Sequence, residues 1–353
     1  MLHTVFYAVS EIAFHALHIV ACFFVHILLR MMLALIITSV AYAPPGLLAG
    51  LVEMKEREVA QMKKLPEARE DGPWALRLAY PAAKSSYVLA RALGWREERP
   101  AVLIDLKRSS PGEQLGETER IHEELNVAAT VGELQKLGAT AALVSTDLPS
   151  WGGSWRDLRD AADATKARTL TGAPPLPIVT KDLIIDPIQI ARAACEGAHA
   201  VLLIAAACLA DLPSLLDTCT LLGIEALVEV HTPEELRVAV ECGASLLLVN
   251  DRDRATGKLV SGQAVSLAPA IPPDAVCLAC GGIRRVDQVR TLRRAGYDGV
   301  VIGRSFSPAA TVSQPSFLEQ LLQEEARPRI VEVVSVTRTG FMDEEAADSS
   351  FSP

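Results

Sequence analysis

At 353 residues, half of them hydrophobic and 22% charged, the chain is long enough to bury one large core and too apolar to be a disordered protein. A formal net charge of −9 argues against nucleic acid as a partner, because binding a phosphate backbone needs a basic face. A small phosphorylated ligand stays compatible, since backbone N–H groups and one or two cations hold a single phosphate. The seven cysteines, at 22, 195, 208, 219, 242, 277 and 280, show no disulfide-like regularity and read as buried thiols in a reducing compartment, with no metal site expected.

Residues 12–29 are almost wholly apolar, broken only by His15, His18 and His26, and a second apolar run covers 31–40. It ends in Ala41-Tyr42-Ala43 before Pro44-Pro45. Small residues at alternate positions after an apolar run are what a signal peptidase accepts, so residues 1–43 read as a cleaved leader. The combined length also fits a retained membrane anchor. The Ala-Tyr-Ala-Pro junction resembles the entry signal of secondary plastids, which makes a plastid the expected destination, with a membrane-anchored or cytoplasmic protein as the alternatives.

Residues 47–64 carry helical spacing, with Leu48, Leu51, Val52, Val59 and Met62 on one face, and 87–93 form a second apolar-faced segment. An extension of this kind would cover one end of the domain that follows. Beyond it one junction recurs: Leu137-Gly-Ala-Thr-Ala-Ala-Leu-Val144, Glu196-Gly-Ala-His-Ala-Val-Leu-Leu203, Cys242-Gly-Ala-Ser-Leu-Leu-Leu-Val249 and Ala295-Gly-Tyr-Asp-Gly-Val-Val-Ile302. Each glycine suits the left-handed turn that ends a helix, and each apolar run suits a strand covered on both faces. Eight such runs are predicted, at 102–107, 141–147, 177–182, 200–205, 225–230, 246–251, 276–281 and 299–305. Amphipathic stretches separate them, among them 233–242 behind a Thr232 cap, and 286–295. Eight alternations predict an α/β fold, a single (β/α)8 TIM barrel spanning 44–335 with an N-terminal helical extension. The acidic run after it, 336–353, is expected to be disordered.

Chemistry in such a barrel sits at the C-terminal ends of the strands. Those positions hold Asp105 and Lys107, Asp147, Lys181 and Asp182, Glu229, Asn250 and Arg252, Cys280, and Gly303 with Ser305. Two lysines and a glutamate brought to one cavity tune one another's pKa values and support proton transfer.

Here the chain resembles the indole-3-glycerol-phosphate synthases. Val102-Leu-Ile-Asp-Leu-Lys-Arg-Ser-Ser-Pro111 is similar to that family's first-strand signature, and Pro177-Ile-Val-Thr-Lys-Asp-Leu-Ile-Ile-Asp-Pro187 to its third-strand block. Ser145-Thr-Asp-Leu-Pro-Ser-Trp-Gly-Gly-Ser154, Glu225-Ala-Leu-Val-Glu-Val-His231, Val249-Asn-Asp-Arg-Asp253, Gly281-Gly-Ile283 and Ile302-Gly-Arg-Ser305 follow in the family's order. The resemblance implies a decarboxylating, dehydrating ring closure on an anilino-deoxyribulose phosphate in tryptophan biosynthesis, without a cofactor. It implies Lys181 as general acid, Glu229 as general base, and Lys107 pairing with the substrate carboxylate and assisting protonation, with Asp105 beside it. It also implies Asn250 on a sugar hydroxyl, Arg252 in substrate binding and Trp151 in a loop over the substrate, with a barrel-mouth ion pair for Arg252 and simple loop packing for Trp151 as the alternatives. Ser110, Gly282, Gly303, Arg304 and Ser305 would line the phosphate pocket. Association with other tryptophan-pathway enzymes fits this reading.

The chain departs from the family in carrying Asp105 where glutamate is usual and Cys280-Gly281-Gly282 where Glu-Ser-Gly is usual. Reduced or altered activity is therefore expected, and restoring Glu-Ser at 280–281 is expected to raise the rate. The alternatives weighed are a catalytically impaired barrel that binds a ligand or partner, and a relative of phosphoribosylanthranilate isomerase, against which the Lys181-Asp182 and Glu229 blocks argue.

Overall fold

The computed structural model describes residues 46–80, 87–94, 99–112, 114–115, 117–306 and 317–323. The leader, 1–43, and the acidic run, 336–353, lie outside the described residues. Among the described residues no helix is long and apolar enough to cross a membrane.

Eight parallel strands close into a barrel: β1 (Ala101–Leu106), β2 (Ala141–Ser145), β3 (Ile178–Lys181), β4 (Ala200–Ile204), β5 (Glu225–Val230), β6 (Leu246–Asn250), β7 (Val276–Cys280) and β8 (Gly299–Ile302). Each pairs with its sequence neighbours, and β1 closes the ring against β8 through Ala101↔Gly299 to Ile104↔Ile302. The four junction glycines, Gly138, Gly197, Gly243 and Gly296, all have positive φ, so the repeat is the helix-ending turn expected of it. Most strands stop one to three residues short of the apolar runs read from sequence. The chain turns there into the loops that carry Lys107, Asp147, Asp182 and Ser305.

Strand alternation sorts the core into two shells. Val102, Ile104, Ala142, Val144, Val201, Leu203 and Val228 face outward, beneath the surrounding helices. Leu103, Leu143, Val179, Leu202, Leu227, Leu248, Leu278 and Val301 face inward and fill the barrel. Near the strand starts this inner shell narrows to Ala101, Ala141 and Ala200, and Leu89 and Leu93 pack with them.

The N-terminal extension caps both ends of the barrel, where the sequence predicts cover for one. Helix α1 (Leu47–Met62) joins the inner shell through Leu48 and Val52 and reaches the strand ends through buried Lys55. Helix α2 (Pro73–Ala79) ties to the outer layer, with Arg77 donating to the Leu222 carbonyl. Helix α3 (Val88–Gly94) lies at the opposite end, where the Leu89 and Ala90 amides donate to Glu225 at the start of β5. Directly after β1 a short antiparallel ribbon, Ser109–Pro111 with Thr118–Arg120, stands beside the mouth.

Candidate active site

The alternation that points Leu103, Val179, Leu227, Leu248 and Leu278 inward continues two residues further along each strand. It therefore turns Asp105, Lys181, Glu229, Asn250 and Cys280 inward as well, one layer above the apolar floor. All five line one pocket, with Lys107, Ser110, Arg252, Gly282, Gly303, Arg304 and Ser305 around its rim. Eleven of the twelve site residues expected from sequence thus share a single cavity.

The exception is Trp151. It ends a one-turn helix after β2, α4 (Leu148–Trp151), and is buried in the inner shell, as the packing alternative expects. Its ring supports two cations of the site, with Lys181 Nζ 5.0 Å and the Arg254 guanidinium 5.9 Å from its centroid.

At the centre, Lys107 Nζ and Lys181 Nζ both lie 2.7 Å from the same oxygen of Asp105. Burial raises the Asp105 carboxyl, but the two ammonium groups outweigh it and hold it well below the usual carboxylate range. Burial, with Lys107 and Arg254 nearby, brings the Lys181 ammonium down to about 8 against the opposing pull of Asp105. One short carboxylate therefore serves two lysines, and Lys181 is poised to give up a proton near neutrality.

Across the mouth, Glu229 accepts a bidentate pair from Arg254, Nε at 2.5 Å and the second guanidinium nitrogen at 2.8 Å. Asn250 Nδ2 adds a third bond at 3.1 Å, while Asn250 Oδ1 accepts from the Arg252 amide. Burial raises Glu229, yet Arg254, Asn250 and Lys181 together leave it below its ordinary value. Arg254 is the principal residue that sequence reasoning missed. Its signal was present: 250, 252 and 254 alternate in the run Asn250-Asp-Arg-Asp-Arg254.

Two strand-end acids go elsewhere. Asp147 and Asp182, read from sequence as part of the barrel-mouth chemistry, accept ion pairs from Lys55 of α1 at 2.6 and 2.7 Å. Asp182 comes one residue after inward-pointing Lys181 and so turns to the other side, while Asp147 lies past the end of β2 as the N-cap of α4. Burial raises the Asp182 carboxyl to about 6, with Lys55 opposing and Asp147 adding to the rise.

The rim expected to hold phosphate is built from the turns after β1, β7 and β8. Ser305 Oγ donates to the Ile283 carbonyl at 2.6 Å and ties the last two together. Arg304 is paired with Glu119 of the ribbon at 2.6 Å, and Arg252 donates to the Gly257 carbonyl. Arg284 joins this rim as a cation not singled out from sequence.

The cysteines at 277 and 280 have a Cys-x-x-Cys spacing that the reading of the sequence overlooked. On an extended strand such a pair faces opposite ways: Cys277 packs in the outer shell and Cys280 looks into the mouth. Burial, then the neighbouring Glu229, pushes the Cys280 thiol far above its usual range, so it stays neutral.

Gly281 changes the expected effect of restoring Glu-Ser. Its φ is +94°, and a Cβ there would stand 2.9 Å from Asn250 Oδ1 and 3.0 Å from the Arg252 amide nitrogen. Gly281→Ser is therefore expected to destabilise the protein by about 1–3 kcal/mol, read as a lower urea midpoint. Any gain from an acid at 280 should appear in Cys280→Glu alone; an unchanged midpoint for Gly281→Ser would show that this turn relaxes freely.

The model of the indole-3-glycerol phosphate synthase family matches residues 48–320. The chain is 35% identical over 219 residues to the indole-3-glycerol phosphate synthase of Koribacter versatilis, across 61% of this chain and 79% of that protein. The corresponding protein of Chlorobium chlorochromatii is 32% identical over 259 residues, 72% of this chain and 92% of its own length. That of Roseiflexus sp. is 33% identical over 274 residues, 76% and 95%. The family model runs from the capping helix α1 to the helix after β8 and takes in every strand that contributes to the pocket, so the chain belongs to the indole-3-glycerol phosphate synthase family.

Proposed function

We propose that this barrel closes the pyrrole ring of an indole. It converts 1-(2-carboxyphenylamino)-1-deoxyribulose 5-phosphate into indole-3-glycerol phosphate, CO2 and water, acting as a carboxy-lyase of tryptophan biosynthesis. The observation that carries this reading is the meeting of Asp105, Lys107, Lys181 and Glu229 in one pocket of a chain that belongs to this family.

The ring carbon bearing the carboxylate attacks the sugar ketone, and the carbonyl oxygen takes a proton from Lys181. The bond to the carboxylate then breaks, CO2 leaves, and its electron pair restores the aromatic ring. Lys107 supplies the proton with which the new hydroxyl departs as water. Glu229 takes a proton from the methylene carbon beside the nitrogen, and the double bond of the indole forms. Two protons enter and one leaves, which matches the conversion of a carboxylate into CO2. The pocket is lined by six cationic side chains (Lys107, Lys181, Arg252, Arg254, Arg284 and Arg304) against the carboxylates Asp105 and Glu229. That surplus suits a substrate with both a phosphate and a carboxylate. The phosphate would sit among Ser110, Gly282, Gly303, Arg304 and Ser305, where small residues let backbone N–H groups approach it.

Incubation with this substrate, followed by indole fluorescence, tests the assignment; no fluorescence under conditions where the protein is folded overturns it. A pH dependence follows from Lys181. The acid must carry its proton, so kcat/KM is expected to fall as pH rises through about 8. A rate that stays level well into the alkaline range would remove Lys181 from that role.

The impaired-barrel reading draws on Cys280-Gly281 and on the sequestration of Glu229 by Arg254. It predicts binding of an unreactive substrate analogue without turnover. The apolar leader and its Ala-Tyr-Ala end support delivery to a plastid, where other tryptophan-pathway enzymes are candidates for association. A fluorescent protein fused behind residues 1–60 tests that destination, and diffuse cytoplasmic signal would refute it.

A further inference from the structure

Arg254 has no part in the steps above, yet it lines the pocket and is paired with Glu229. Of the cations there, Lys107 and Lys181 share one Asp105 oxygen and Arg304 faces Glu119. Arg254 alone grips the proposed base, occupying both oxygens of Glu229. With the Asn250 bond added, Glu229 accepts three hydrogen bonds, two of them charge-assisted, and a carboxylate so satisfied is a poor proton acceptor. Cys280, which lines the same pocket, is a neutral thiol and offers Arg254 no second anion.

We propose that Arg254 receives the substrate's carboxylate, the group that leaves as CO2, and by that exchange releases Glu229 to act as base only when substrate is seated. This rests on the ring-closing reading above, and it moves the carboxylate contact from Lys107 to Arg254. Lys107 is held by Asp105 and is left to protonate the departing hydroxyl. A guanidinium fork fits any planar carboxylate, so trading Glu229 for the incoming one keeps both bonds of Arg254 made. The cation stays beside the bond that breaks until CO2 departs uncharged, whereupon Arg254 is free to return to Glu229.

The test uses the full chain, titration calorimetry and two unreactive probes. These are the substrate with its ketone reduced to an alcohol, 1-(2-carboxyphenylamino)-1-deoxyribitol 5-phosphate, and the same molecule without the carboxylate. Arg254→Leu is expected to weaken the carboxylated probe about tenfold or more and leave the other within about twofold. Arg254→Lys, which keeps the charge but not the fork, should recover part of the preference. In turnover, KM should rise more than kcat falls, and the acid limb of kcat/KM should move to higher pH as Glu229 loses its partner. Arg254→Gln, which still donates to Glu229, covers the case in which the leucine variant fails to fold.

A parental protein that binds neither probe and closes no ring would end the ring-closing reading itself. A parental protein that does both, alongside variants that keep its preference for the carboxylated probe or weaken both probes alike, would overturn only the role given to Arg254.

Discussion

Lys181→Ala is expected to slow ring closure about a thousandfold or more, and Glu229→Gln to do the same, with the barrel still folded. The size follows from the roles. A positioned acid or base contributes about 10²–10⁴-fold. Lys107, on the same Asp105 oxygen, is given the later proton transfer to the departing hydroxyl, so loss of Lys181 leaves the first transfer without its donor. Folding should survive both changes. Removing Lys181 leaves Asp105 still paired with Lys107, and glutamine at 229 keeps an oxygen for Arg254 and fills the same volume. Single-turnover fluorescence on variants with parental circular dichroism decides the matter. Near-parental rates in either one would show that the acid and base lie elsewhere.

The second large effect concerns stability. Lys55→Met is expected to cost about 3–5 kcal/mol, because it strands the buried carboxylates of Asp147 and Asp182 beside each other. Both are otherwise well satisfied: Asp147 caps α4 through the Ser150 amide, and Asp182 accepts from Thr146 Oγ1 and the Leu183 amide. The missing partner is thus the charge alone. Asp182 already has a raised pKa of about 6, and loss of the ammonium raises it further. Protons then bind the folded state more tightly than the unfolded chain. The gap between parent and variant should therefore narrow as pH falls from 7 to 5. Asp182→Asn in the Lys55→Met background should recover part of the loss. Urea midpoints of the parent, the single and the double variant check all three statements. A single variant as stable as the parent would mean that α1 is held by Leu48 and Val52 without this ion pair.

Both predictions concern carboxylates that follow inward strands, and local sequence does not separate them. Asp105 and Glu229 continue the inward alternation of β1 and β5, whereas Asp147 and Asp182 fall after it ends. Read as strand-end acids, all four look alike. Only the arrival of Lys55 from a helix about a hundred residues earlier gives two of them a structural use.

What sequence determined by itself was everything periodic. The glycine-ended helix junctions and the apolar runs after them dictate eight parallel strands, because a strand buried on both faces has to be apolar throughout and a left-handed helix end favours glycine. The same period of two places Asp105, Lys181, Glu229, Asn250 and Cys280 on one layer, so the site's membership was legible once the strands were counted. Partnership was decided only by the tertiary structure. That Arg254 holds Glu229, that one Asp105 oxygen serves two lysines, that Trp151 lies beneath the cations and that Lys55 captures two acids all depend on distances between elements far apart in the chain. Charge pairing acts across a few ångströms of folded space and leaves no periodic trace along the sequence.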